Sequence, residues 1–410
     1  MKIAFFHNLP SGGAKRAVYG YVKYLTKAGH TVDVFIPSTA EENFLGLREF
    51  VKEIKVLPVK STLIGSIKSI WYGYRFSLAD LEVVQKRLAA MINRGDYDVV
   101  FVEQDRYTLS PFILKFLEKP NVYYCQQPSR ENEGILIRLL EQSGEYKGLR
   151  GWLRRSRHWF RRQKIPSIDA INASFAKYIL TNSYFSREAI LRAYGLNSFV
   201  CYLGVDIETF HPLQVSREDY VLSVGSLGPS KGYEFIVRAL GHIDEKIRPA
   251  FVIVANSVNK NWQQYIMRLS VQMGVKIEIR TLISDAELAQ LYNKAKLLVY
   301  APYLEPFGLV PLEAMACGTP VVAVKEGGVR ESVLNNETGV LTERDESLFA
   351  EVITALLLDD KRRERMGRNA VEVVREFWTL EHARDRLLWH LERAIHLQHA
   401  RPAGCGQPAA

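Results

Sequence analysis

No apolar run in these 410 residues approaches the roughly 18 needed to cross a bilayer. The opening MKIAFFHNLP also lacks the layout of a signal peptide, so the expected location is the cytoplasm. Cysteine is scarce. The four present, Cys125, Cys201, Cys317 and Cys405, are scattered at spacings that suit neither a disulfide framework nor a zinc site. In a reducing compartment the sequon Asn336-Glu337-Thr338 carries no meaning. The dinucleotide fingerprint G-x-G-x-x-G is missing after the first strand. Acid is outnumbered, 45 Asp and Glu against 54 Lys and Arg, and the net charge of +9 calls for an anionic partner. No nucleic-acid-binding module accompanies the arginines, so nucleic acid is not the expected one. An Asp96-Tyr97-Asp98 triplet could suggest a metal, but it stands at the amino end of the strand Tyr97–Val102, away from where ligands gather in such sheets. No metal site is expected.

What is present is a soluble globular composition, 47% hydrophobic and 24% charged, on a chain long enough for two or three domains. Its organising stretch is Glu305-Pro306-Phe307-Gly308-Leu309-Val310-Pro311-Leu312-Glu313, continuing to Ala323. Leu297–Tyr300 reads as a buried strand before it and Val321–Val324 as another after it, with a helix from Leu309 between them. The amides of Phe307, Gly308, Leu309 and Val310 then have no partner inside the helix, and the helix dipole adds positive charge, which suits a phosphate. Glu313 can accept both hydroxyls of a ribose, and Glu305 those of a sugar. Isolated, such a pair reads first as ordinary helix-start carboxylates, which are favoured near the positive end of a helix.

The flanking letters change that. EPFGL…E followed by A-x-A-x-G-x-P-V-V closely resembles the signature of the family 4 retaining glycosyltransferases. The resemblance extends over most of the chain, most specifically from Lys231 to Gly339. It implies an α/β GT-B fold, with two Rossmann-like β/α/β domains facing a central cleft. The expected division is residues 1–205, an acceptor-side domain, and 206–382, the donor-binding domain. A final helix at about 383–400 returns to the first domain, and 401–410 is expected to be a disordered tail. Phe377-Trp378 resembles the family's mark of that final helix.

In order, Lys2–Phe6 reads as a strand leading to Gly12-Gly13, and the family has a Gly-Gly loop here facing the donor diphosphate. Bare of context, the glycines could equally make a tight turn. The family's glutamate soon after them is replaced by Ala14-Lys15-Arg16. The strand Tyr97–Val102 ends at Glu103-Gln104, and Gln104 is taken as acceptor-side. Asn121–Pro128 reads as a strand bringing Gln126 to the cleft, where the family often has a histidine; glutamine cannot serve as a proton donor of useful pKa. Ile179–Ser183 is the last strand expected in this half, followed by a helix from Ser186.

Lys147–Lys164 (KGLRGWLRRSRHWFRRQK) holds eight basic residues and no acidic one. Leu149, Trp152, Leu153, Trp159 and Phe160 fall on one helical face, the pattern of an anchor for an anionic membrane surface, or of a helix packed by that face onto its domain. Lys60–Arg75 mixes aromatic, aliphatic and basic residues in a similar way. Peripheral association with the inner face of the membrane is therefore a further expectation.

In the second half Tyr220–Gly225 restarts a sheet. The family's G-R-x-x-x-x-K-G loop is met by Lys231 but has Ser226 where arginine is usual; Lys15, Arg16 or Arg330 could supply the missing charge. The base is expected against the backbone at Thr281 and Leu282. The resemblance thus implies a metal-independent enzyme without cofactor, using Glu305 and Lys231 in catalysis. It would move sugar from a UDP- or GDP-sugar to a glycan or lipid-linked acceptor in cell-envelope or exopolysaccharide synthesis. A non-catalytic sugar-nucleotide-binding subunit and a GT-B epimerase are the alternatives.

Overall fold

The computed structural model describes residues 1–61, 74–129 and 133–399. Most of the 60–75 stretch and the tail 401–410 lie outside the described residues.

Two parallel sheets organise the chain. The first contains β1 (Lys2–Asn8), β2 (Thr31–Pro37), β3 (Glu53–Leu57), β4 (Val99–Asp105), β5 (Asn121–Tyr124), β6 (Tyr178–Thr181) and β7 (Phe199–Val200), in the order β3-β2-β1-β4-β5-β6-β7. The second contains β8 (Glu218–Val224), β9 (Ala250–Ala255), β10 (Ile277–Thr281), β11 (Ala295–Tyr300), β12 (Val321–Val324) and β13 (Gly339–Thr342), ordered β10-β9-β8-β11-β12-β13. Helices cover both faces, so the central strands read as continuous apolar runs: Ile3, Ala4, Phe5 and Phe6 are all fully buried, as are Leu297, Leu298 and Val299. In each sheet the strand order reverses once, between β1 and β4 and between β8 and β11. A crevice opens at such a reversal, outside the carboxyl ends of the strands, and the sequence motifs fall there.

Several expected boundaries move. β4 runs on to Asp105, which makes Glu103 and Gln104 buried strand residues rather than loop. β5 ends at Tyr124, so Gln126 sits just past the strand. The helix expected from Ser186 begins at Tyr184, because the Ser183 hydroxyl accepts the Ser186 amide and caps it. Three edge strands, β3, β7 and β13, carry no clear signal in the sequence. β3 alternates charged and apolar residues without a buried face, and β7 is two residues long.

The chain crosses between the sheets twice, side by side. The Val205 amide donates to the Trp378 carbonyl at 2.8 Å, and the Leu380 amide to the Val205 carbonyl at 3.2 Å. Gly204 lies so close to the Thr379 carbonyl that no side chain fits there. From this crossing the final helix, Leu380–His399, packs back onto the first helix, Gly13–Lys27. Its Ala383, Leu387 and Leu391 share one core with Val18, Tyr21 and Val22.

Candidate functional site

Six helices are capped by their own Ser77, Ser183, Asn259, Ser284, Asp345 or Asp359 side chains, whereas Gly148–Ala173 starts at Lys147 without one. Those that follow β1, β8, β11 and β12 begin at Gly12, Gly232, Gly308 and Gly328, with no side-chain cap. Their first amides therefore face outward unsatisfied by any side chain, as an anion would require. Gly12 adopts φ 145°, ψ −169°, a conformation open essentially to glycine alone, and among the described residues neither Gly12 nor Gly13 has anything beyond its own chain neighbours within 4 Å of where a Cβ would stand.

Glu305 lies in the loop after β11. Its Oε2 accepts a hydrogen bond from Lys231 Nζ at 2.8 Å, so the two expected catalytic residues form one ion pair. The loop is held rigidly. Leu304 has φ 47°, in the left-handed region a leucine seldom enters. The Gly328 amide donates to the Glu305 carbonyl at 2.8 Å. Gly327 and Gly328 lie flush on the Glu305 and Pro306 backbone: a Cβ on Gly327 would stand 2.8 Å from the Glu305 nitrogen, and one on Gly328 would strike the Pro306 carbonyl. Phe307 points the other way, into an aromatic cluster at the interdomain crossing, with ring centroids 6.0 Å from Tyr202 and 5.6 Å from Trp378. Its contribution to a donor site is thus its backbone. Leu309 and Val310 open the short helix Leu309–Ala316, half-buried against the core.

Glu313, on that helix, is buried and doubly engaged. Tyr292 donates its hydroxyl to Oε2 at 2.8 Å, and Arg16 Nε stands 3.3 Å from Oε1. Burial raises the Glu313 carboxyl above the ordinary carboxylate range, against the pull of Arg16 and the Tyr292 hydrogen bond. Arg16 also grips Asp285 with both terminal nitrogens, at 2.7 and 2.6 Å. Burial by itself would lower the Arg16 pKa; the two carboxylates outweigh it and hold the guanidinium firmly charged. One arginine of the first domain thereby bridges two acids of the second. Asp285 does not cap its helix; Ser284 does.

The first domain's side of the cleft is tightly bonded. Gln126 donates to Glu103 Oε1 at 2.9 Å and accepts from Asn182 Nδ2 at 2.9 Å. Both ends of its amide are therefore committed to protein. Glu103 is fully buried, and burial pushes its carboxyl up to about 8. Gln104 turns toward the loop after β5, donating to the Gln127 carbonyl at 2.5 Å. Lys15 does not supply charge for a diphosphate: it is fully buried and paired with Glu42, beside His7, whose pKa burial lowers to about 4. Arg330 is exposed and donates to the Gly327 carbonyl at 3.0 Å. Ser226 is half-buried on the loop that leads to Lys231. Thr281 and Leu282 are exposed at the end of β10, Leu282 at 81% and with φ 55°.

Two further links close the cleft. The Ser183 hydroxyl donates to the Pro306 carbonyl at 2.5 Å. Glu331 accepts the amides of Tyr184 and Phe185 at 2.8 and 2.9 Å and the Tyr202 hydroxyl at 2.8 Å. Glu331, Tyr292, Glu103 and Asn182 were missed from the sequence. The visible signals were slight: Glu331 follows Gly327-Gly328 in a first turn, and Asn182-Ser183 ends a strand.

Comparison with known proteins agrees with this arrangement. The model of "Glycosyltransferase Family 4" matches residues 11–209 and that of "Glycosyl transferases group 1" matches residues 206–373. The chain belongs to the family 4 glycosyltransferases. Among curated relatives, a D-inositol 3-phosphate glycosyltransferase of Corynebacterium efficiens is 37% identical over 164 residues, 38% of this chain and 39% of that protein. One of Xylanimonas cellulosilytica is 33% identical over 212 residues, 46% of this chain and 51% of that protein. The matched segment thus spans about half the length of these relatives or less. Among solved structures, sucrose-phosphate synthase from Thermosynechococcus elongatus superposes with a TM-score of 0.72 at 19% identity, covering 97% of this chain and 99% of that one. The Anabaena protein HepE in complex with UDP-glucose gives 0.71 at 18%, covering 96% and 100%. The fold is GT-B, two Rossmann-like domains about a cleft.

Against the family's pattern, the Gln126 position is now physically legible. An imidazole there would meet Glu103 and Asn182; the glutamine satisfies both through one neutral amide. Arg16, standing near the place of the family's post-glycine glutamate, reverses the local charge and turns it on Glu313 and Asp285.

Proposed function

We propose that the chain transfers a sugar from a nucleotide-sugar, with retention at the anomeric carbon, to a glycan or lipid-linked acceptor. The observation that carries this reading is the convergence of Lys231–Glu305 and Glu313 on one uncapped helix start at the β8/β11 crevice. The UDP-glucose complex of the Anabaena neighbour supports a nucleotide-sugar donor. The inositol 3-phosphate relatives offer a precedent for an anionic acceptor.

In this reading the ribose meets Glu313 and the diphosphate lies over Gly12-Gly13 and the amides of Gly308 to Val310, with Lys231 neutralising charge as the leaving group departs. Glu305 orients the sugar. The acceptor oxygen bonds to the anomeric carbon on the face from which the diphosphate leaves, and the acceptor proton passes to the departing phosphate oxygen. No metal is needed for that balance. Closure through Ser183, Glu331 and Arg16 keeps water from hydrolysing the donor.

The helix Gly148–Ala173 supports the membrane part of the proposal. Its tryptophans do not pack onto the domain: Trp152 is 62% and Trp159 63% exposed, alongside exposed Leu149 and Leu153. No described helix is long and apolar enough to span a membrane, so attachment would be to the surface.

The test is nucleotide release from UDP-, GDP- and ADP-sugars, with wild type and Glu313→Ala. Release from one donor, lost in the variant, is expected. Donor binding without release, even with membrane extract as acceptor, would favour the non-catalytic subunit, a reading for which the locked Gln126 amide speaks.

A further inference from the structure

A solvent-open cavity with about 70 Å³ of enclosed space lies beside the candidate site and outside the donor-binding set. Pro128 from the loop after β5, Leu136, Phe185 and Ala189 line it from the first domain, and Leu304 and Pro306 from the second. Its lining is mainly apolar. Glu313, Lys231, Gly12 and Gly13 take no part in it, so the nucleotide-sugar leaves it empty. Leu304 and Pro306 flank Glu305, and Pro128 is two residues from Gln126. The cavity therefore borders the loop that carries Glu305, although the Glu305 carboxylate itself turns to Lys231. Leu136 belongs to the helix Glu133–Gln142, whose Leu139 is buried in the second domain's core. Glu145, just beyond it, accepts from Asn261 Nδ2 at 2.7 Å. This segment of the first domain thus roofs the cavity by docking on the second, then leads into the helix with exposed tryptophans. Arg192 also lines the cavity, half exposed and only 3.8 Å from its weak partner Glu188.

We propose that this cavity receives the apolar chain of an amphiphilic acceptor, with Arg192 meeting an anionic group at its mouth. The inference rests on the glycosyl-transfer reading for the name acceptor, but not for the binding itself. Apolar lining selects a hydrocarbon chain, the arginine selects phosphate, and Leu304 and Pro306 in the lining put the bound molecule against the loop that carries Glu305.

Isothermal titration of the full chain with decyl phosphate tests it. One equivalent is expected to bind, and inorganic phosphate is not. Shorter alkyl phosphates are expected to bind about fourfold more weakly for each methylene removed. Ala189→Trp fills the cavity and is expected to weaken decyl phosphate at least tenfold. Ala193→Leu, a milder change on the same lining, is expected to weaken it severalfold and serves if the tryptophan variant fails to fold. Arg192→Glu is expected to weaken decyl phosphate and leave decanol unchanged. UDP, titrated separately, is expected to bind all these variants as it binds wild type. Decyl phosphate bound equally by wild type and the cavity variants overturns the proposal, as does inorganic phosphate bound as tightly as decyl phosphate. Decyl phosphate bound with no nucleotide or nucleotide-sugar bound would sink the transferase reading and leave the cavity's ligand class standing.

Discussion

Arg16 and Glu313 face each other across the interdomain cleft, with the guanidinium Nε 3.3 Å from a carboxylate that Tyr292 already holds from behind. The residue assigned to the ribose is thereby also an anchor for closure. Glu313→Ala is expected to raise the nucleotide dissociation constant roughly 30- to 100-fold, the loss of about 2–3 kcal/mol of charge-assisted hydrogen bonding. Arg16→Ala is expected to open the nucleotide-free protein, seen as a larger radius of gyration by small-angle scattering. An unchanged scattering curve would show that Ser183 and Glu331 suffice to hold the cleft shut.

Two glycines separate ligand approach from loop support. Among the described residues nothing beyond its own helix lies within 4 Å of a Cβ on Gly13, so Gly13→Ala is expected to melt like wild type yet bind diphosphate more weakly. Gly328→Ala would push on the Pro306 carbonyl and displace the Glu305 loop. A shift of about 1 Å in a catalytic group can cost on the order of 100-fold, and a loss of that size in turnover is expected with circular dichroism unchanged. Equal kinetics for Gly328→Ala and wild type would show that the loop does not need this support.

Lys231→Ala is expected to lower kcat on the order of 100- to 1,000-fold while altering KM little, because its charge matters most as the diphosphate leaves. Steady-state kinetics with the released nucleotide as readout decides this. A change confined to KM would make Lys231 a binding residue only.

Stability is expected to be highest between about pH 4.5 and 6.5, where two buried groups act in opposite senses, and to fall on either side. Burial raises Glu103 to about 8, so between roughly pH 4.5 and 8 the folded state holds a proton that the unfolded chain releases. That contribution is complete below about 4.5 and is lost as pH rises through 8. His7, lowered to about 4, acts in the opposite sense: the unfolded chain takes up a proton below about 6.5 that the folded state refuses, so stability also declines as pH falls toward 4. Thermal melts from pH 4 to 9 should peak between these limits. Glu103→Gln should flatten the alkaline limb, and a limb identical to wild type would assign that loss to other groups.

Trp152→Glu with Trp159→Glu is expected to abolish co-sedimentation with anionic liposomes. These positions test the surface more cleanly than the arginines do, since Arg154 and Arg155 are already paired with Glu145 and Glu141, and Arg161 lies over the Tyr74 ring at 5.1 Å. Undiminished sedimentation would remove the membrane from the proposal.

The parallel sheets were legible because buried central strands such as Ile3–Phe6 and Leu297–Tyr300 are apolar without interruption, and the uncapped helix at Gly308 because a glycine and breakers stand where a Ser or Asp cap would otherwise be. Glu305, Glu313 and Lys231 could be singled out from motif spacing. Their partners could not. Arg16 and Asp285 are 269 positions apart, and no local periodicity relates them. Phe307 was singled out for its amide, and its ring packs at the crossing, a long-range contact with Tyr202 and Trp378 that the motif does not reveal. The fate of Gln126 depended on Glu103 and Asn182, from two other strand ends brought alongside only by the sheet order.

The last helix gives the chain an order of assembly. On a ribosome, the first domain's strands and its Gly13–Lys27 helix emerge long before Ala383, Leu387 and Leu391, which complete the same core. The apolar face that those residues cover stays open through synthesis of the entire second domain. Chains cut short near Trp378 would therefore carry a complete second sheet and an unsealed first one, exposing apolar surface that quality control can recognise.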